Sequence, residues 1–177
     1  MGKRALLLID FQRDFLADDG RLPVARNQVE PVIAAANGAV AKARTEGAAI
    51  IAIGNEFRHA DWIANIFRRL AALAGSDGAR WDERVDRAGA TYFPKWSSNA
   101  FANPALGAFL DQLGIDTVTL AGLYANACVT ATAKGALRRG LKVEIVADAV
   151  AAGSDRARAK AIEPLARRGV KIVGEKT

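Results

Sequence analysis

Three side chains fit for nucleophilic and acid–base chemistry stand at or just past the ends of apolar runs. Asp10 follows "ALLLI", Lys95 follows "ATYFP", and Cys128 follows "DTVTLAGLYANA". Cys128 is the only cysteine of the chain, so no internal disulfide can form. A thiolate is a strong nucleophile, and a thiol needs a base to become one. The one histidine, His59, sits in the polar stretch "EFRHADW", where it reads as a solvated loop residue. Asp10 is the better-placed base. At the end of an apolar strand, desolvation raises a carboxyl pKa toward neutrality, so it can accept the thiol proton. Lys95 would offset the charge of Asp10, orient it and stabilise the thiolate. With Asn126 as cap, Cys128 would lie in the first turn of a helix, where free N–H groups and the helix dipole favour thiolate and can hold an oxyanion. Each residue also has a plain structural reading: a small buried hydrophobe, a turn aspartate, a surface lysine. Their convergence on one rim is what argues for chemistry.

The elements that must position them follow from periodicity. Residues 5–10, 48–55, 90–95, 116–122, 142–148 and 170–174 are short, mostly apolar runs that read as strands. Between them, 28–47, 60–73, 103–114, 127–140 and 154–169 carry helical spacing. Asn103, Pro104 and Gly114 give one helix its cap, first residue and stop. Trp62, Ile63, Ile66, Phe67 and Leu70 form a stripe on the 60–73 segment, and 74–90 is a polar loop fit for a lid or a subunit contact. Alternating strands and helices predict an α/β fold: three layers, Rossmann-like, with a six-stranded, mostly parallel sheet. Ligands of such folds bind beyond the carboxyl ends of the strands. That rim is expected to carry Asp10, Asn55 and Glu56, Lys95, Cys128 and Asp148.

The chain has 177 residues, enough for one domain with its own core, and 51% are hydrophobic. The apolar run near the N-terminus is too short for a signal segment or a membrane span. A single cysteine suits a reducing compartment, and the expected location is cytoplasmic. Net charge is +6, but the cations are scattered along helices, with no basic run or aromatic-basic motif. The expectation is therefore no nucleic-acid partner and no membrane, although the charge favours an anionic substrate. No glycine-rich turn follows the first strand in "IDFQRDF", which excludes a dinucleotide fingerprint.

Four stretches carry a family resemblance: "LLLIDFQRDFL", "GRLPV", "FPKWSSNAF" and "LAGLYANACVTATAKGALRRGLKVEIVADAV". In these the chain resembles the isochorismatase-like cysteine hydrolases, a superfamily that includes nicotinamidases and N-carbamoylsarcosine and ureidoacrylate amidohydrolases. The resemblance implies Cys128 as nucleophile, Asp10 as general base and Lys95 as third catalytic member. It also implies a cis peptide between Leu123 and Tyr124, with the Tyr124 and Cys128 N–H groups forming the oxyanion hole. Ala125 stands where the family often has Thr. Nicotinamidases add a metal site of one Asp and two histidines, which a chain with one histidine cannot assemble in that form. No metal and no cofactor are expected. Family members are usually dimers or tetramers, and the apolar Trp62–Leu73 stripe would suit such an interface.

The resulting expectation is a hydrolase of a small carboxamide or ureido substrate acting through a thioester. Phe15, Asn55, Glu56, Trp62, Trp96, Asn99 and Tyr124 are candidate pocket residues, and no arginine stands out in the sequence as a carboxylate clamp. The alternative is a catalytically silent Rossmann-like binding or scaffold protein with a buried structural cysteine.

Overall fold

The first strand, β1 (Lys3–Ile9), is apolar on both faces. Ala5, Leu7 and Ile9 enter one core cluster, while Leu6 and Leu8 enter a second. A strand of this kind needs a layer of structure on each side. The computed structural model, which describes residues 2–87 and 89–174, supplies both. Strands β2 (Ala49–Asn55), β3 (Thr91–Lys95), β4 (Ile115–Leu123), β5 (Lys142–Ala151) and β6 (Lys171–Val173) join β1 in the order β3-β2-β1-β4-β5-β6, and every pairing is parallel. Helices α1 (Arg13–Leu16) and α2 (Arg26–Thr45) contribute Phe15, Val32, Ile33 and Val40 to the second core. A short helix, α3 (Trp62–Phe67), follows β2. Helices α4 (Pro104–Leu113), α5 (Thr130–Arg138) and α6 (Asp155–Ala166) cover the first core with Leu106, Leu110, Ala133, Ala136 and Leu165. The fold is thus a three-layer α/β/α sandwich. The strand order reverses between β1 and β4, which places the ligand crevice at the carboxyl ends of those two strands.

Close contact between β1 and β4 depends on Gly122. It pairs with Ile9 and has φ +146°, and a Cβ there would stand 2.2 Å from the Ile9 carbonyl oxygen. A larger residue would push the strands apart one step below Asp10.

Most elements lie where the apolar patterning puts them. Helix α4 has the expected ends: Asn103 accepts from the Ala105 N–H at 3.0 Å, Pro104 opens the helix, and Gly114 closes it at φ 68°. Two expectations fail. Strand β5 does not end at Asp148 but runs to Ala151; its pairing to β4 is irregular between Leu120 and Gly122, and Asp148 is left exposed within the strand rather than on the rim. The 60–73 helix is cut to six residues. Its downstream backbone is captured elsewhere: Asp14 accepts from the Ala72 N–H at 2.8 Å, and Phe57 and Ala72–Ala74 exchange backbone hydrogen bonds beside β2. The predicted stripe faces outward, with Trp62 64% and Phe67 84% exposed, because Asn65 is the buried residue of α3. The 74–90 segment contains a 3-10 turn at Asp77–Ala79, and its Ala88 lies outside the described residues. No helix among the described residues is long and apolar enough to cross a membrane.

Candidate active site

Asp10, Lys95 and Cys128 come together at the strand-order reversal. Lys95 Nζ lies 2.9 Å from Asp10 Oδ2 and 3.3 Å from Cys128 Sγ. Lys95 is fully buried, Asp10 is 1% exposed and Cys128 keeps 7%. Two further N–H bonds of the lysine go to Asn55 Oδ1 (2.6 Å) and the Ser97 carbonyl (3.2 Å). Asp10 Oδ2 thus lies directly against the ammonium, within reach of the thiol that Lys95 also touches.

Local structure explains each placement. Asp10 leaves β1 in the left-handed region, at φ 58°, a conformation that Asp tolerates better than most residues. Its N–H stays bonded to the Ile53 carbonyl at 2.8 Å, so the turn is anchored to β2. Lys95 is the last residue of β3 and stands in register with Asn55, the last residue of β2. Cys128 follows β4 in a π-helical turn, Ala125–Val129, that feeds α5. The Leu123–Tyr124 peptide is cis, at the position that the family resemblance implies. Asn126 does not cap this helix; it lies exposed inside the turn, and Tyr124 holds the cap position without a side-chain bond.

Gln12, which sequence reasoning missed, organises the site from below by holding Asn55. The buried Gln12 amide accepts from the Asn55 N–H and donates to the Asn55 carbonyl, both at 2.8 Å, and donates to the Ala79 carbonyl at 2.6 Å. It thus continues the hydrogen-bonding edge of β2 past its paired region. The Asn55 side chain so held bridges Lys95 Nζ and Cys128 Sγ, the latter at 3.9 Å. Gln12→Ala would leave the buried Asn55 N–H without its partner. The expected cost is about 2–3 kcal/mol of stability with a fall in kcat, read by urea denaturation and steady-state kinetics.

Electrostatics differ from the sequence expectation at one point. Burial pushes the Asp10 carboxyl above its ordinary range, and the Lys95 charge only partly offsets this. Burial alone would lower Lys95, but the neighbouring Asp10 and Cys128 outweigh it and hold the ammonium charged. The place of Cys128 in a first helical turn predicts a thiol shifted toward thiolate. Instead burial, followed by the charge of Asp10, pushes Cys128 up to about 11, with Lys95 pulling the other way. At neutral pH the resting site therefore holds a thiol, a charged lysine and a carboxyl that burial has made more basic.

The remaining candidates are spread more widely. Asn55 is in the site. Glu56 lies beside it and accepts from the Tyr92 hydroxyl at 2.8 Å. Trp96, next to Lys95, lies under the Arg58 guanidinium, 5.0 Å from ring centroid to Cζ. Phe15 is buried in the second core and meets Tyr124 edge-on at 5.8 Å, and the Tyr124 hydroxyl donates to the Leu22 carbonyl. Asn99 caps the 3-10 turn Ala100–Ala102, and Trp62 stands in the exposed stripe. His59 is exposed and contacts the Ala74 carbonyl at 3.0 Å. Among the described residues no three His, Cys, Asp or Glu side chains gather as metal ligands. A groove of about 1380 Å³ opens at the amino ends of the strands, between Lys3, Lys42, Asp116 and Lys142, away from this chemistry.

The arrangement has counterparts in known proteins. Residues 4–176 match the family model described as the isochorismatase domain. Streptothricin hydrolase of Streptomyces noursei is 28% identical over 156 residues, covering 82% of this chain and 49% of that protein, so the chain spans about half of its length. Maleamate amidohydrolase of Pseudomonas putida is 28% identical over 155 residues, 84% of this chain and 72% of that protein. The crystal structure of an isochorismatase-like hydrolase from Alkaliphilus metalliredigens superposes with a TM-score of 0.87 at 27% identity, covering 97% of this chain and 94% of the other. With a family match that runs almost end to end and takes in all three clustered residues, the chain belongs to the isochorismatase domain family.

Proposed function

We propose that this protein hydrolyses a C–N bond of a small carboxamide or ureido compound through a thioester on Cys128. The observation that carries the reading is the buried contact of Cys128 Sγ with Lys95 Nζ at 3.3 Å, backed by Asp10 at 2.9 Å. A cysteine serving only as packing would have no need of a fully buried lysine and aspartate beside it, since burying charge is costly.

In the first step the thiol proton passes to Asp10 as sulfur attacks the carbonyl carbon. The Tyr124 and Cys128 N–H groups stabilise the oxyanion. The C–N bond then breaks, and ammonia or an amine leaves with the proton returned by Asp10. Water, deprotonated by the same carboxylate, cleaves the thioester and restores the thiol. Lys95 keeps Asp10 ionised and offsets charge on sulfur throughout.

The surface supports a small-molecule substrate rather than a nucleic acid, because much of its positive charge is internally paired, as in Arg84–Asp82, Arg139–Asp111 and Arg167–Glu163. The exposed Trp62–Leu70 stripe supports a homodimer or homotetramer, and the lone cysteine supports a cytoplasmic location. We read residues 1–177 as one domain. The test of function is an ammonia-release screen over small amides and ureido compounds, with Cys128→Ala as the blank. Cysteine-dependent release from at least one class is expected; a silent panel, together with slow alkylation of the native thiol, would favour the scaffold alternative.

A further inference from the structure

We propose that Arg58, held over the Trp96 ring beside the site, recognises a carboxylate on the substrate, so that the bond cleaved belongs to an anionic amide or ureido acid. This rests on the hydrolase reading above and adds the substrate class.

Arg58 is three residues past Asn55, and Trp96 directly follows Lys95. Those two anchors stand in register at the ends of β2 and β3, and the Glu56 N–H extends the pairing by donating to the Lys95 carbonyl at 2.7 Å. Arg58 and Trp96 therefore leave the sheet together, beside the Asn55 side chain that reaches the sulfur. The Arg58 backbone is fixed: its carbonyl accepts from the Asp61 N–H at 3.1 Å and from the side chain of buried Asn65 at 2.9 Å. The guanidinium itself lies over the indole, 5.0 Å from the centroid, and among the described residues it makes no ion pair.

Arg68 also lies over a ring, that of Phe57 at 4.0 Å, but only Arg58 of these two lies over the residue next to Lys95, and several other arginines are held in ion pairs. Arg13 and Arg80 are held by Asp77 at 2.9 and 3.1 Å, and Arg84 by Asp82 at 2.8 Å. Glu56, the carboxylate nearest in sequence, is engaged by Tyr92. Stacking on an aromatic ring uses the face of a guanidinium and leaves its N–H edge free, in the fork geometry that grips a carboxylate with two bonds. Lys95 cannot serve this role, because its ammonium is taken up by Asp10, Asn55, Ser97 and Cys128. A carboxylate set at Arg58 would hold the far end of a short substrate while the carbonyl meets Cys128.

The test compares matched pairs differing only in that charge: succinamate against its methyl ester, and N-carbamoylglycine against methylurea. The wild-type protein is expected to favour the anionic member of at least one pair by about tenfold or more in kcat/KM. Arg58→Met should lower kcat/KM for that member roughly 10- to 100-fold, mainly through KM, and leave its neutral counterpart within about twofold. Arg58→Lys should restore part of the loss. Thermal melting of each variant checks the fold. Cysteine-dependent hydrolysis without preference for the anion, or an equal loss on both members of a pair, overturns the carboxylate assignment while the hydrolase reading stands. No hydrolysis of any member by the wild-type protein counts against both.

Discussion

Cys128→Ser is expected to lose ammonia release by on the order of 10⁴-fold or more, with its melting temperature little changed. The serine hydroxyl is close in size to the thiol, so the cluster of Ala125, Val129 and Ala133 around it keeps its packing. The chemistry does not survive. A thiol pushed up to about 11 is still far more acidic than an alcohol, and Asp10 is matched to the weaker demand. The activity left would come from binding and oxyanion stabilisation alone. Retained turnover would remove Cys128 from the mechanism, and a collapsed melting curve would show its role to be packing.

Lys95→Met is the second large effect, and it acts on stability and activity together. The substitution leaves the Asp10 carboxylate in a fully buried place without its counter-charge. Removing one partner of such a pair costs about 3–5 kcal/mol. The carboxyl then takes up a proton at neutral pH and ceases to be a base, so kcat/KM is expected to fall on the order of 10³-fold. The double variant Asp10→Asn/Lys95→Met separates the two effects. It should recover most of the stability, since no bare charge remains, and none of the activity. A single variant as stable as wild type, by chemical denaturation, would show that the pair is not energetically coupled. The pH dependence follows from the same electrostatics. The ionised form of Asp10 is the active one, and burial raises its pKa. Activity must therefore fall with acidification at a pH above that of an ordinary carboxylate, and Lys95→Met should move this limb further upward.

Much of this site is legible from the sequence because a parallel sheet delivers its strand ends to one rim. Asp10 and Lys95 stand immediately at the ends of apolar runs, so counting to the end of each run finds them. Cys128 needs one more inference, that the small-residue stretch after β4 turns at once into helix. The parts not legible depend on contacts between distant segments. Gln12 carries no periodic signal, and its role exists only because β2 ends beside it. Asn126 has the right chemistry for a cap, but the turn after β4 is π-helical and turns it to solvent. The acidity of Cys128 is not legible because helix position suggests stabilised thiolate, whereas the depth of burial decides the sign. The 60–73 stripe has helical spacing, yet Asp14, 58 residues earlier in the chain than Ala72, takes the backbone that the helix would need. Asp148 looks like a strand end because nothing local reveals the irregular pairing that lets β5 run on.

The decisive measurement is acid quenching during turnover of the best amide from the screen, followed by intact-mass analysis and peptide mapping. The expected result is an acyl group, equal in mass to the substrate less ammonia or amine, on Cys128 and released by hydroxylamine. Its appearance in the burst phase should match the first loss of ammonia, and it should be absent from Cys128→Ala. Acyl transfer to a different residue, or sustained turnover by Cys128→Ala, would contradict a thioester mechanism at this cysteine.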